Sequence, residues 1–124
     1  MLVLECKTKK KGQGFIMTDT IKELYDIIND RKINKQEGSY TCYLFEKGID
    51  KILKKCGEEC SEVIIAAKNG VNTDTANEIC DLLYHLLVLM AEQNIDIKLV
   101  EDILEERSKK IGNLKQFKQV DHNS

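Results

Sequence analysis

Four acidic residues in this 124-residue chain have the type and spacing needed to bind a divalent cation. Glu59 and Glu62 lie three residues apart in one segment, and Glu78 and Asp81 lie three residues apart in the next. On a helix, residues three apart lie one above the other, with Cβ atoms about 5–6 Å apart. If two such helices pack side by side, the four carboxylates converge and can all stay ionised only beside a cation. Because oxygen ligands favour hard ions, we expect Mg²⁺, with Mn²⁺ as a substitute.

The second acidic pair is stronger evidence for a metal site than the first. Segment 79–90 is apolar on nearly every side, yet Glu78, Asp81 and His85 form a polar stripe along it. A buried carboxylate is costly unless it is paired or bound to metal. Taken alone, each acidic pair fits a solvated helix face better than it fits a metal site, and Lys55 could neutralise Glu59. His85 fits an orienting or core histidine better than a ligand.

A carboxylate-bound magnesium ion with lysines nearby suits phosphate chemistry, because it neutralises phosphate oxygens and activates water. The sequence has no glycine-rich loop ending in Gly-Lys-Ser/Thr, so a P-loop nucleotide site is excluded. The spacing favours hydrolysis of a nucleotide phosphoanhydride. The alternative of a different class is a metal-free helical interaction module.

Composition predicts an all-α fold of four to five helices in one bundle. The chain has no proline and few glycines, which favours helices over a turn-rich β fold. The helix boundaries follow from the apolar spacing and from three local signals. These are Asn69-Gly70 as a stop, a Thr75–Glu78 capping box and Asp96 as a cap. The expected helices are 18–32, 40–47, 48–69, a fourth from Thr73–Thr75 to Gln93, and a fifth from Asp96 to Lys110.

Charge and hydropathy exclude several partners. The formal net charge of −2 lacks the basic excess of a nucleic-acid footprint. No apolar run reaches the ~20 residues that a membrane span needs. The five cysteines and the short apolar start, without a secretory signal, suggest reduced thiols and a cytoplasmic location.

The order Glu58-Glu59-x-x-Glu62 followed by Glu78-x-x-Asp81 resembles the signature of the all-α nucleotide pyrophosphohydrolase superfamily, which includes MazG and dimeric dUTPases. Within it, the chain is most similar to the phosphoribosyl-ATP pyrophosphohydrolase family of histidine biosynthesis. The segments that carry this resemblance are LYDIINDRK (24–32), GSYTCYLFEKGIDKILKKCGEECSEVIIAAKN (38–69), EICDLLYHLLVLM (78–90) and EDILEERSKK (101–110).

This resemblance implies a MazG-like helical fold and magnesium-dependent cleavage of phosphoribosyl-ATP between its α and β phosphates. It makes Glu59, Glu62, Glu78 and Asp81 the metal ligands, and gives Glu58, Glu59 and Glu62 catalytic roles, with Glu58 assisting or orienting the attacking water. Substrate contacts carried over from the resemblance are Arg31, Ser39, Tyr40, Lys47, Lys51, Lys54 and Lys55. For Arg31, a helix-end charge favourable to the dipole explains the residue equally well.

The resemblance covers nearly all of the chain from Thr18 to Lys110. We therefore expect an N-terminal arm at 1–16, the enzymatic domain at 17–112 and a polar tail at 113–124. The superfamily builds its sites in helical dimers, and Ile65 and Val88 face away from the expected core, so we expect a homodimer or a dimer of dimers. A house-cleaning pyrophosphatase acting on dUTP or damaged triphosphates is the alternative enzymatic function.

Overall fold

The computed structural model describes residues 17–110, and the predicted arm and tail lie outside them. The described residues form five α-helices and no strand, which confirms the all-α prediction. The helices are α1 (Met17–Ile33), α2 (Tyr40–Lys47), α3 (Ile49–Asn69), α4 (Asn72–Glu92) and α5 (Ile97–Ser108).

The ends of the central helices follow their local sequence. Ser39 caps α2, its hydroxyl accepting a hydrogen bond from the Cys42 backbone N–H at 3.2 Å. At the end of α3, Gly70 adopts the left-handed conformation with φ of 80°, and its N–H bonds the carbonyls of Ala66 and Ala67. The two-residue connection then turns the chain back, so that α4 runs antiparallel to α3.

The start of α4 differs from the prediction of a Thr75–Glu78 capping box. The helix begins at Asn72, and the Thr75 hydroxyl donates to the carbonyl of Val71 at 3.3 Å instead of capping. Glu78 consequently lies in the second turn, where its side chain is half-buried. At the fifth helix the prediction is confirmed, because the Asp96 carboxylate accepts from the Lys98 N–H at 2.9 Å.

The core lies where α1, α2, α3 and the second half of α4 meet. On α4, the buried face differs from the one that the sequence predicted. Val88, predicted to face outward, is fully buried, whereas Ile79 and Leu86 are exposed. The reason is that α4 is apolar almost all round, so periodicity does not select a face. The buried hydrophobic residues are Tyr25, Ile28, Leu44, Ile52, Tyr84, Leu87, Val88 and Ala91.

Two apolar surfaces are not covered by any other part of residues 17–110. The second half of α3 exposes Ile64 and Ile65, and α5 exposes Leu99, Ile103 and Leu104 without burying a single residue. Across residues 17–110, none of the helices has the length and apolar character that crossing a bilayer would require.

Candidate metal centre

The packing of α3 against α4 brings carboxylates of both acidic pairs together. Glu59 lies on the side of α3 that faces α4 and is buried, with 8% of its side chain exposed. Glu78 and Asp81 lie on the facing side of α4 and are half-buried. One carboxylate oxygen from each of Glu59, Glu78 and Asp81 lies within 4.8 Å of the other two. This is a cluster of oxygen atoms close enough to share one cation.

Glu62 lies at the rim of this cluster. Its side chain is exposed and does not belong to the close set of three, but its carboxyl is near enough to raise the pKa of both Glu59 and Glu78. Beside Glu62 and Glu78, a cavity of about 310 Å³ extends along the α3–α4 hairpin to Asn69 and Asp74. The assignment of all four carboxylates as ligands stays a prediction.

The cluster leaves polar atoms without partners. The Oε2 atoms of Glu59 and Glu78 are buried, and neither has a hydrogen bond among the described residues. Burial, the neighbouring Glu62 carboxyl and the charge of Asp81 raise the pKa of Glu59 to about 7. The pKa of Glu78 is also raised, first by the neighbouring Glu62 carboxyl and then by burial. A divalent cation would satisfy both oxygens and remove the repulsion, so the donor set fits a hard ion such as Mg²⁺.

Lys55 connects this acidic cluster to the solvated side of α3. Its Nζ lies 3.1 Å from an oxygen of Glu58 and 3.8 Å from Oε1 of Glu59. The hydrogen bond from Lys55 holds the pKa of Glu58 below its usual value. Glu58 is exposed, and Lys54 lies 4.0 Å from its other oxygen. Lys51, one turn before Lys55, is half-buried.

The remaining predicted substrate contacts are spread over α1 and α2. Tyr40 begins α2, and its hydroxyl lies 3.0 Å from Nε2 of His85, which neighbours Glu59. Ser39 precedes Tyr40 and lines a groove of about 520 Å³ with it. Lys47 lies at the far end of α2, with its Nζ 5.8 Å from the centre of the Tyr43 ring.

Arg31 lies in the last turn of α1 and pairs with Asp30 at 3.3 Å. The structure thus brings Tyr40, Lys55 and Glu58 close to the carboxylates. It connects neither Arg31 nor Lys47 to them by a hydrogen bond or an ion pair among the described residues.

Two residues near the cluster were not identified as partners from the sequence. His85 is buried and contacts Tyr40, while Tyr84 is buried and its hydroxyl bonds that of Thr41. Burial is the main cause that raises the pKa of Tyr84 to about 12, and it is also the main cause that lowers the pKa of His85 below its ordinary value. The sequence predicted an orienting or core role for His85, but it gave no indication of the residues on α2 that His85 and Tyr84 contact.

Comparison with known proteins identifies the family. The model of the phosphoribosyl-ATP pyrophosphohydrolase family matches residues 21–108 of this chain. The phosphoribosyl-ATP pyrophosphatase of Clostridium novyi is 56% identical over 97 residues, which cover 78% of this chain and 88% of that protein. The corresponding protein of Listeria welshimeri is 52% identical over 101 residues, covering 82% and 97% of the two chains.

A longer relative contains the same domain as part of its chain. The histidine biosynthesis bifunctional protein of Thermoanaerobacter pseudethanolicus is 60% identical over 86 residues, which cover 69% of this chain and 38% of that protein. The four acidic positions and the segments around Tyr40 and His85 all lie within the stretch that the family model matches. By this match and by its identity to those relatives, the chain belongs to the phosphoribosyl-ATP pyrophosphohydrolase family.

Proposed function

We propose that this chain hydrolyses phosphoribosyl-ATP to phosphoribosyl-AMP and pyrophosphate, the second step of histidine biosynthesis. The observation that carries the proposal is the convergence of Glu59, Glu78 and Asp81 from two helices, in a member of a family named for this reaction. In the reaction, the oxygen of a water molecule bonds to one phosphorus atom of the α–β phosphoanhydride, and the bond from that phosphorus to the bridging oxygen breaks. Phosphoribosyl-AMP and pyrophosphate separate, and the proton that the water loses passes to solvent or to a phosphate oxygen.

We propose Mg²⁺, or Mn²⁺ in its place, as the ion of this site. Glu59, Glu78 and Asp81 would hold it, and Glu62 would complete the set from the rim. The support is the pair of buried carboxylate oxygens that find no hydrogen-bond partner between residues 17 and 110, together with an all-oxygen donor set. When bound, such an ion neutralises phosphate oxygens and lowers the pKa of a water molecule.

The positive side chains on α3 have a separate task, which is to bind the phosphates. Lys55 is the best placed of them, because its Nζ is 3.8 Å from Glu59 and already lies beside the cluster. Lys51 and Lys54 lie one turn before it and next to it, and would meet oxygens further along the phosphate chain. Glu58 orients Lys55 through their 3.1 Å contact, and we propose that it also assists in orienting the attacking water.

The substrate is decided by comparing products. The protein would be incubated with Mg²⁺ and phosphoribosyl-ATP, and separately with dUTP, ATP and the other nucleoside triphosphates. We expect pyrophosphate from phosphoribosyl-ATP at a rate at least about 100-fold above the rates with the others, a difference of ~2.7 kcal/mol in transition-state binding. Equal or faster release from dUTP would contradict the proposal and favour the house-cleaning alternative.

We also propose that the chain works as a homodimer in the cytoplasm. Ile64 and Ile65 on α3 are 61% and 59% exposed, and Ile79 and Leu86 on α4 are also exposed. Uncovered apolar side chains on two adjacent helices are typical of a surface that packs against another copy. The cytoplasmic location is supported by the cysteines, which the sequence predicts to be reduced.

A further inference from the structure

Two neighbouring polar pairs connect α2 to α4 close to the acidic cluster. The Tyr40 hydroxyl pairs with Nε2 of His85 at 3.0 Å, and the hydroxyl of the next residue, Thr41, pairs with that of Tyr84. Thr41, Tyr84 and His85 are all buried. The short α2 helix is thereby fixed by consecutive residues that bond consecutive residues of α4. Buried polar bonds of this kind specify one arrangement, because losing either partner leaves the other unsatisfied.

The His85 ring has a defined hydrogen-bonding state. Its Nδ1 atom lies 2.7 Å from the backbone carbonyl oxygen of Asp81. A carbonyl oxygen only accepts, so Nδ1 carries the hydrogen and donates it. In the neutral ring Nε2 is then the acceptor, and the Tyr40 hydroxyl donates to it. The same Nδ1 lies 4.0 Å from Oε1 of Glu59. One buried imidazole thus contacts α2 and the backbone of Asp81 and lies beside Glu59.

We propose that His85 is a positioning residue for the reaction. By holding the Tyr40 hydroxyl, it fixes the first turn of α2, and with it Ser39 and the adjoining groove, at a set place relative to Glu59 and Asp81. The groove beside Ser39, Tyr40 and Tyr43 is thereby kept open for the part of the nucleotide that lies beyond the phosphates bound at the cluster. This inference rests on the proposed function.

Three substitutions separate the two bonds of the imidazole. In His85→Gln the amide reaches the place of Nε2 and its oxygen can accept from Tyr40, whereas the bond to the Asp81 carbonyl is lost. In His85→Asn the shorter amide can still donate to that carbonyl, but the acceptor for Tyr40 is lost. Tyr40→Phe removes the same bond from the other side. Tyr25→Phe is the matched control, because the Tyr25 hydroxyl also makes a bond between elements, to the carbonyl of Ile95, away from the site.

The kinetic outcome distinguishes positioning from general stabilisation. We expect His85→Asn and Tyr40→Phe each to raise KM for phosphoribosyl-ATP about three- to tenfold with kcat within about twofold of wild type. The variant that combines His85→Asn with Tyr40→Phe should have a KM no higher than either single variant, since the two changes remove the same hydrogen bond. His85→Gln should keep KM within about twofold of wild type, and Tyr25→Phe should leave it unchanged although its Tm falls comparably.

A spectroscopic measurement gives a second readout that needs no turnover. The chain has two histidines, so the ring nitrogen resonances of His85 can be assigned by comparison with a His85→Gln sample. We expect the Nδ1-protonated tautomer in the wild type, and a shift of the Nε2 resonance in Tyr40→Phe but not in Tyr25→Phe. The Nε2-protonated tautomer would overturn the inference, and so would His85→Asn and Tyr40→Phe variants with the KM of the control. Absence of turnover by the wild-type chain would overturn the proposed function together with it.

Discussion

A carboxylate oxygen of Glu59 on α3 lies within 4.8 Å of one from Asp81 on α4, and the Oε2 atom of Glu59 is buried with no hydrogen-bond partner among the described residues. Proximity to Asp81 and Glu62 helps to raise the pKa of Glu59 to about 7, after the larger effect of burial. The ionised Glu59 carboxylate therefore destabilises the metal-free folded protein, and a bound cation would stabilise that ionised form. The stability of the protein and its affinity for metal are therefore coupled through this residue.

Replacing Glu59 by glutamine should separate stability from activity. We expect Glu59→Gln to raise the free energy of unfolding of the metal-free protein at pH 8 by about 1–3 kcal/mol, because it removes a buried charge. The same change should lower the rate of pyrophosphate release by about 1000-fold or more, because a metal ligand is lost. Glu106→Gln on the surface of α5 is the control and should change neither quantity. A less stable Glu59→Gln protein with full activity would contradict the assignment.

Metal-free stability should depend on pH through Glu59. Its pKa is about 7 in the folded chain and 4.5 in the reference state, so between these values the folded state binds more protons. The contribution of Glu59 to stability is therefore present at pH 4.5 and is lost as the pH rises through 7. His85 acts in the opposite direction: burial lowers its pKa in the folded chain, so its contribution is present above pH 6.5 and is lost as the pH falls below 6.5 through the lower folded value.

Urea unfolding of the wild type and of Glu59→Gln in the presence of a chelator isolates the glutamate, since the histidine contribution cancels in the difference. We expect wild-type stability relative to the variant to fall by about 1–3 kcal/mol from pH 5 to pH 8. A difference that is constant with pH, or one that rises, would show that the pKa of Glu59 is not raised in the folded state.

Divalent cations should stabilise the folded chain. A ligand that binds only the folded state at 100 times its dissociation constant adds about 2.7 kcal/mol to the free energy of unfolding. We therefore expect Mg²⁺ to raise Tm at pH 8, and Mn²⁺ to do the same. Asp81→Asn should lose this response, whereas Asp102→Asn, which changes a carboxylate paired with Lys98 on α5, should keep it. An equal response in both variants would place the ion elsewhere.

The second half of α3 should form the contact between two copies. Ile65 is 59% exposed beside Ile64, and we expect Ile65→Glu to convert a dimer to a monomer at micromolar concentration because it places a charge in an apolar contact. Light scattering after gel filtration gives the mass. Ile33→Glu, at an isoleucine that is 81% exposed at the end of α1, is the control and should leave the mass unchanged. A wild-type chain that is monomeric would refute the dimer.

The sequence was sufficient to predict the helices and the approach of Glu59 on α3 to Glu78 and Asp81 on α4. Gly70 ends α3 by adopting a left-handed conformation, and a glycine at the end of an apolar helical pattern predicts such an end from the sequence alone. The spacing of Glu59 and Glu62 against Glu78 and Asp81 then predicts convergence across the short connection. It does not predict that Glu62 lies at the rim, because that depends on the rotation of α3 about its own axis against α4.

The sequence could not predict which face of α4 is buried or which bonds α4 makes to α2. Leucines and a valine lie on nearly every side of this helix, so its hydrophobic pattern favours no single side. Val88 was therefore assigned to the exposed side although it is buried. The pairing of Tyr40 with His85 joins residues 45 positions apart, and it depends on where α2 crosses α4. Local propensity carries no information about such a crossing, which is set by how side chains of the two helices interlock.

The most direct test of the acidic cluster is the rate at which Asp81→Asn releases pyrophosphate from phosphoribosyl-ATP, measured with saturating Mg²⁺ beside the wild type. Asparagine has nearly the shape of aspartate but lacks its charge, so the fold should persist and circular dichroism should confirm it. We expect the wild type to yield one pyrophosphate per phosphoribosyl-ATP and the variant to be slower by about 1000-fold or more. A folded Asp81→Asn protein that keeps the wild-type rate would contradict a metal site at Glu59, Glu78 and Asp81.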